Sequence, residues 1–161
     1  MSEDRNGFLV GPDDGDHYWF LGTLATVKAG AGQTGGAFTL IEQVAPPGFG
    51  PPPHVHLAED EAFYILDGTL HVTCGDQRWD APPRSFVFLP RGIPHAFAVA
   101  DDAPARLLQI TIPAQFERFV AEVSEPAPRA TLPPPTEPNV PRLLAAMAKF
   151  GYEPVGPSSD A

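Results

Sequence analysis

GFGPPPHVHLAEDEAFYILDG, residues 48–68, is the stretch whose reading decides the fold. Pro51, Pro52 and Pro53 bar a helix at its start, because proline lacks the backbone donor and clashes with the preceding turn. His54 and His56 then flank Val55, and a strand, with its period of two, sends both imidazoles to one face. Taken alone, such a pair fits a solvated strand or a hydrogen-bonded core as well as it fits metal ligation. Three acids follow, Glu59, Asp60 and Glu61. Glu61 opens a β-type run in which Phe63 and Ile65 share its inward face, so it is the one placed to add an oxygen ligand. Glu59 and Asp60 read as solvated turn residues.

Outward from this stretch the chain is a succession of short β-type runs separated by Gly, Pro, Asp and Asn, as an antiparallel sandwich or barrel requires. The runs are Tyr18 to Val27, Ala37 to Val44, Ala62 to Leu66, Thr69 to Cys74, Gln77 to Asp80, Ser85 to Leu89, His95 to Val99 and Arg106 to Ile112. Asp67-Gly68 and Gly75-Asp76 carry the residues of tight hairpin turns, which predicts two hairpins. His95 follows the turn Pro90-Arg91-Gly92-Ile93-Pro94 and is expected to meet the first histidine pair across the barrel. Past Pro113, Phe116, Phe119, Val120 and Val123 recur at helical spacing. Residues 124–138 read as an extended, proline-rich strap, and Asn139 caps a second helix whose stripe is Leu143, Leu144, Met147 and Phe150, closed by Gly151. The expected organisation is an all-β domain over 18–113, an N-terminal arm over 1–17 and a C-terminal extension of helices and strap over 114–161.

Composition narrows the function. At 161 residues there is room for one domain with a substantial core. Twenty acids against ten bases give a formal charge of -10, which repels nucleic-acid backbones and anionic membranes. Cys74 is the one cysteine, so neither an intramolecular disulfide nor a thiolate-rich zinc site can form. No run approaches about 18 apolar residues and no export signal opens the chain, so a cytoplasmic protein is expected.

With these residues assembled, the sequence resembles the cupins. Their first motif is met in full by Gly48, His54, His56, Glu61 and Gly68 with the family's spacing; their second is met by Pro90, Gly92 and His95. Two positions depart: Arg84 stands where the family has glycine and Val99 where it has asparagine. The resemblance implies a jelly-roll barrel, the double-stranded β-helix of about six to eight strands, with a short helical C-terminal extension outside it. It also implies one divalent transition metal (Fe, Ni, Cu, Mn, Co or Zn) held by His54, His56, Glu61 and His95. Within the family the run Pro51 to His56 with Asp60 to Leu66 is similar to single-domain proteins related to quercetinase, the flavonol dioxygenase.

That likeness leads to a dioxygenase reading: an aromatic or enolic small molecule binds the metal, Glu61 accepts its proton, and O2 opens the ring. The alternatives are a redox-neutral zinc-type cyclase, hydrolase or isomerase, and a non-enzymatic module that binds metal or a small molecule. Alternation puts Phe63, Ile65, Phe97 and Val99 on the faces of Glu61 and His95, which makes them the expected substrate pocket. His17 and His71 are expected at the surface, and Cys74 as a small buried hydrophobe. Outward-facing Tyr64 and Leu66, with the family resemblance, predict a homodimer.

Overall fold

The computed structural model describes residues 6–156. Among the described residues twelve strands and three helices follow one another: β1 (Asp16–Phe20), β2 (Thr23–Ala29), α1 (Ala31–Thr34), β3 (Thr39–Ala45), β4 (His54–His56), β5 (Asp60–Asp67), β6 (Leu70–Cys74), β7 (Gln77–Ala81), β8 (Phe86–Leu89), β9 (His95–Val99), β10 (Ala105–Ile112), α2 (Phe116–Val123), β11 (Glu125–Pro126), α3 (Val140–Phe150) and β12 (Tyr152–Pro154). They form two antiparallel sheets, one in the order β11-β1-β2-β3-β10-β5-β8 and the other in the order β12-β4-β9-β6-β7. This is the jelly roll the sequence predicts, with short helices after it.

Period-two patterning builds both layers. In β6, Leu70, Val72 and Cys74 are buried while His71 between them is exposed. Inner residues of both sheets meet in one core, Phe63, Ile65 and Leu107 from the first with Leu70, Val72 and Val99 from the second. Each such side chain contributes about 1.5–3 kcal/mol by leaving water. A second core joins the barrel to the C-terminal helices through Phe20, Ile41, Phe116, Phe119, Ala146 and Tyr152. Phe119 is its hub, with ring centroids 5.9 Å from Phe20 and 4.8 Å from Tyr152.

Several turns differ from their sequence reading. Gly75-Asp76 does join a hairpin, β6 with β7. Asp67-Gly68 does not, because β5 pairs with β8 and β10 whereas β6 pairs with β7 and β9. The turn carries the chain from one sheet to the other. The run Tyr18 to Val27 is no single strand: Leu21 (φ 49°) and Gly22 (φ 87°) fold it into the β1–β2 hairpin. Arg84 holds φ 69° at the third position of a turn closed by Ser85 N–H to the Pro82 carbonyl, 3.1 Å. The left-handed conformation thus survives without glycine, at a conformational cost of about 1–2 kcal/mol. Val99 is buried and meets its neighbours through backbone, accepting from Gly48 N–H and donating to the Phe49 carbonyl.

The segment after Pro113 is built into both sheets. β11 pairs with β1, and β12 pairs with β4 in the register Tyr152 to His56. Helix α3 begins with Asn139 Oδ1 accepting from Arg142 N–H, 3.1 Å, and ends at Gly151, whose φ of 76° turns the chain directly into β12. Among the described residues no helix is long and apolar enough to cross a membrane.

Candidate metal centre

Strand β4 presents His54 and His56, and β9 lies beside it with His54 opposite His95. All three histidines therefore come from neighbouring strands of one sheet. The expectation that His95 faces the pair across the barrel is corrected by this register; Glu61, on β5 of the other sheet, makes the crossing. Ring centroids lie 5.1 Å apart for His54 and His56, 4.7 Å for His54 and His95, and 5.1 Å for His56 and His95. One donor atom from each of these histidines and from Glu61 lies within 4.8 Å of all the others, a spacing that can hold a metal ion.

The hydrogen bonds behind the rings set their chemistry. His54 Nδ1 faces the Pro52 carbonyl at 2.9 Å and His95 Nδ1 faces the Ile93 carbonyl at 3.2 Å. A carbonyl only accepts, so these nitrogens carry a proton, and it is Nε2 that can offer a lone pair to a metal in the neutral ring. His56 Nδ1 is engaged in the same sense, 2.9 Å from Glu59 Oε1. Three Nε2 atoms thus turn toward Glu61, whose Oε2 lies 2.9 Å from that of His95 and 3.7 Å from that of His56. Lone pairs facing a carboxylate repel unless a proton or cation lies among them. Three imidazoles and one carboxylate, each held from behind, suit a divalent transition metal.

Electrostatics act differently on each member of the set. Burial acts against the charge on Glu61, yet the adjacent His56, His95 and His54 outweigh it and hold its pKa down to about 2. Gln109 Nε2 donates to the other oxygen, Oε1. Burial lowers the pKa of His54, which favours its neutral, ligating form. Burial also opposes protonation of His56, but the Glu61 and Glu59 carboxylates overcome it and leave that pKa raised. Beside the cluster, the Arg91 guanidinium grips Asp60 through Nε and Nη2, both at 3.1 Å, and so fixes the start of β5.

Glu59 is not a solvated turn residue. It is 0% exposed, bonded to His56 and accepting the Tyr152 hydroxyl at 2.7 Å. Burial, then the nearby Glu59 charge, raises the Tyr152 pKa, so the hydroxyl remains a donor. Asp60 is half-buried against Arg91 rather than free in solvent.

A cavity of about 220 Å³ opens onto His54, His56 and Glu61. Of the pocket residues expected from alternation, Phe97 lines it, while Phe63, Ile65 and Val99 lie in the barrel core. The rest of its wall comes largely from elsewhere: Phe49 and the Pro51 to Pro53 run, Phe116 and Phe119 of α2, Leu143, Leu144 and Met147 of α3, and Tyr152. The α3 stripe had a helical period in the sequence, but nothing in that period tells a wall from ordinary packing. His71 is exposed and 2.6 Å from Asp80; His17 is half-buried against Thr26. Cys74 is buried, which pushes its thiol pKa up.

A two-sheet antiparallel barrel that gathers three histidines and a glutamate beside an apolar cavity defines a class of small β-barrel with a candidate metal site. Residues 41–111 match the family described as Cupin domain, and the strands they supply make up most of the two-sheet barrel. It is 25% identical over 134 residues to quercetin 2,3-dioxygenase of Bacillus subtilis, covering 83% of this chain and 40% of that one. The chain therefore spans less than half the length of this curated relative. Among solved structures, an RmlC-like cupin from Shewanella frigidimarina superposes with TM-score 0.57 at 12% identity, covering 71% of this chain and 98% of that one. KdgF from Halomonas sp. gives 0.54 at 14% identity, covering 73% and 96%. At these identities the likeness is one of fold.

Proposed function

We propose that the chain is a metal-dependent enzyme acting on a neutral aromatic or enolic small molecule, with a quercetinase-like dioxygenase as the reading that fits best. The observation that carries it is the pairing of the His54, His56, Glu61 and His95 cluster with a cavity whose lining is mostly aromatic and aliphatic, with the neutral amides Gln43 and Gln109 and no Lys or Arg. Small anionic substrates are ordinarily gripped by cationic side chains; this wall suits a flat, uncharged ring system. The distant likeness to quercetin 2,3-dioxygenase supports the same direction.

A divalent metal held by the four residues supplies Lewis acidity toward neighbouring substrate oxygens and, if redox active, a route to O2. The chain's own groups do the rest. Glu61 Oε2 accepts the proton of the substrate hydroxyl, while Gln109 holds Oε1 and so limits rotation of the carboxylate. The rings of Phe97, Phe116 and Phe119 confine the substrate and displace water, which strengthens every polar contact inside.

The test is metal analysis of protein purified without added metal, followed by oxygen uptake with flavonols and simpler enolic compounds. Uptake that scales with bound Fe, Ni, Cu, Mn or Co supports the dioxygenase. Tightly bound zinc with turnover that consumes no oxygen replaces it with redox-neutral chemistry, and absence of bound metal under any loading refutes both.

A further inference from the structure

Glu59 and Tyr152 belong to neither motif, yet they are joined to the cluster by a buried chain of hydrogen bonds. His56 Nδ1 lies 2.9 Å from Glu59 Oε1, and the Tyr152 hydroxyl donates to that same oxygen at 2.7 Å. Glu59 is wholly buried, and its second oxygen, Oε2, has no hydrogen-bond partner. Leaving a carboxylate in that position costs free energy unless its charge serves something nearby. Directly across the His56 ring lies the ligand cluster.

Resting on the metal-binding reading above, we propose that Glu59 is a positioning residue for His56, and that Tyr152 acts through Glu59 so that the C-terminal strand takes part in building the ligand set. Glu59 keeps the proton on Nδ1, orients the ring and makes Nε2 a better donor, the part an outer carboxylate plays behind a ligating histidine. The His54 and His95 rings have neutral backbone carbonyls in that place, so His56 alone of the three has a carboxylate behind it. With Glu61 as the second negative group, the two carboxylates balance the charge of a divalent ion inside the buried site. Tyr152 is held over His56 by the β4–β12 register, with ring centroids 4.5 Å apart, and by Leu57 N–H bonding to the Gly151 carbonyl, 2.9 Å. Its hydroxyl then fixes which Glu59 oxygen meets His56.

The experiment measures cobalt(II) affinity and the cobalt visible spectrum in the full chain, with circular dichroism and metal-free urea melts confirming the fold of each variant. Glu59→Leu removes the acceptor and is expected to weaken cobalt binding about 100-fold, and Glu59→Gln, which keeps an acceptor without the charge, about 10-fold. Both should move the cobalt bands. Tyr152→Phe is expected to weaken binding severalfold in the wild-type background and to add nothing in the Glu59→Leu background, since its effect passes through Glu59. Wild-type affinity and spectrum in folded Glu59 variants overturn the proposal while leaving the metal site intact, as do Tyr152 and Glu59 effects that simply multiply. A purely structural role lowers the urea midpoint without moving the cobalt bands, which also overturns it. A wild-type chain that takes up no cobalt or other transition metal overturns the proposal together with the metal-binding reading beneath it.

Discussion

Replacing Gly68 with alanine separates two reasons for a glycine that sequence alone cannot tell apart. Gly68 has φ 76°, and a Cβ placed there meets the Pro104 carbonyl oxygen at 2.5 Å and Ala105 Cα at 2.8 Å. Both obstacles are backbone at the start of β10, where Ala105 pairs with Ala45 of β3 and Arg106 with Asp67 of β5, so neither can swing aside as a long side chain would. The left-handed conformation costs alanine about 1–2 kcal/mol, and overpacking against a fixed neighbour adds about 1–3 kcal/mol. Gly92 is the internal control: its φ is 79°, with nothing within 4 Å of the added carbon. Gly92→Ala should therefore cost only the conformational part, reduced by about 0.4–1 kcal/mol because alanine also restricts the unfolded chain. Urea melts of metal-free protein should show Gly68→Ala the less stable by about 1–3 kcal/mol, a midpoint difference on the order of 1 M. Equal midpoints for the two variants would refute the claim that the sheet-switching turn needs space as well as a positive φ.

Further outcomes can be checked independently. His54→Ala, His56→Ala and His95→Ala should each lose most bound metal by elemental analysis while keeping the β-rich circular dichroism spectrum, because the core of Phe63, Leu70 and Leu107 is apolar and includes none of the three histidines; stoichiometric, tightly held metal in all three would show the ligands to be wrong. Glu61→Gln should retain part of the metal yet lower turnover per bound metal about 10²- to 10⁴-fold; an unchanged rate leaves Glu61 only a ligand. In the metal-free chain, Glu61 has a folded pKa of about 2, below its usual 4.5, so its contribution is present above 4.5 and lost as pH falls through 2. That loss is worth up to about 3 kcal/mol, and Glu61→Gln should flatten this segment of the urea-stability profile relative to wild type; parallel profiles would contradict it. On edge strand β8, Phe86 and Phe88 are 63% and 48% exposed, with Tyr64 in register beside Phe86. Light scattering should give a dimer mass that Phe86→Lys with Phe88→Lys reduces to a monomer, and a monomeric wild type at micromolar concentration refutes it.

The cluster was legible because strand periodicity is local. His54 and His56 share a face whatever the rest of the chain does, and the alternation through Phe63 and Ile65 separates Glu61 from Asp60, although Glu59 has the same phase and differs only in lying before the run. The position of His95 beside His54 was not legible, since turn residues say that the chain reverses and not which sheet receives it. The same limit explains Asp67-Gly68, whose composition suits a hairpin although it moves the chain between layers. Glu59 was misread because its burial depends on Tyr152, 93 positions away, and an acid in a turn is ordinarily solvated. The pocket was misassigned in part for a similar reason. Phe63, Ile65 and Val99 do point inward, but inward at their level of the barrel is packed core, and the open space lies where α2, α3 and β12 close over the cluster.

The origin of that cavity wall separates two properties that a single barrel would otherwise tie together. The four clustered residues sit on strands whose spacing is fixed by backbone pairing, whereas much of the surface around a bound molecule comes from helices added after the barrel is complete. Side chains such as Leu143, Leu144 and Met147 can therefore change size without disturbing a strand register. Under the proposed function, the shape of the site is open to change in the tail while the four clustered residues stay in place, and a graft of residues 113–156 onto a related barrel would carry this wall with it only where the recipient's β4–β5 connection offers Tyr152 the partner that Glu59 gives it here.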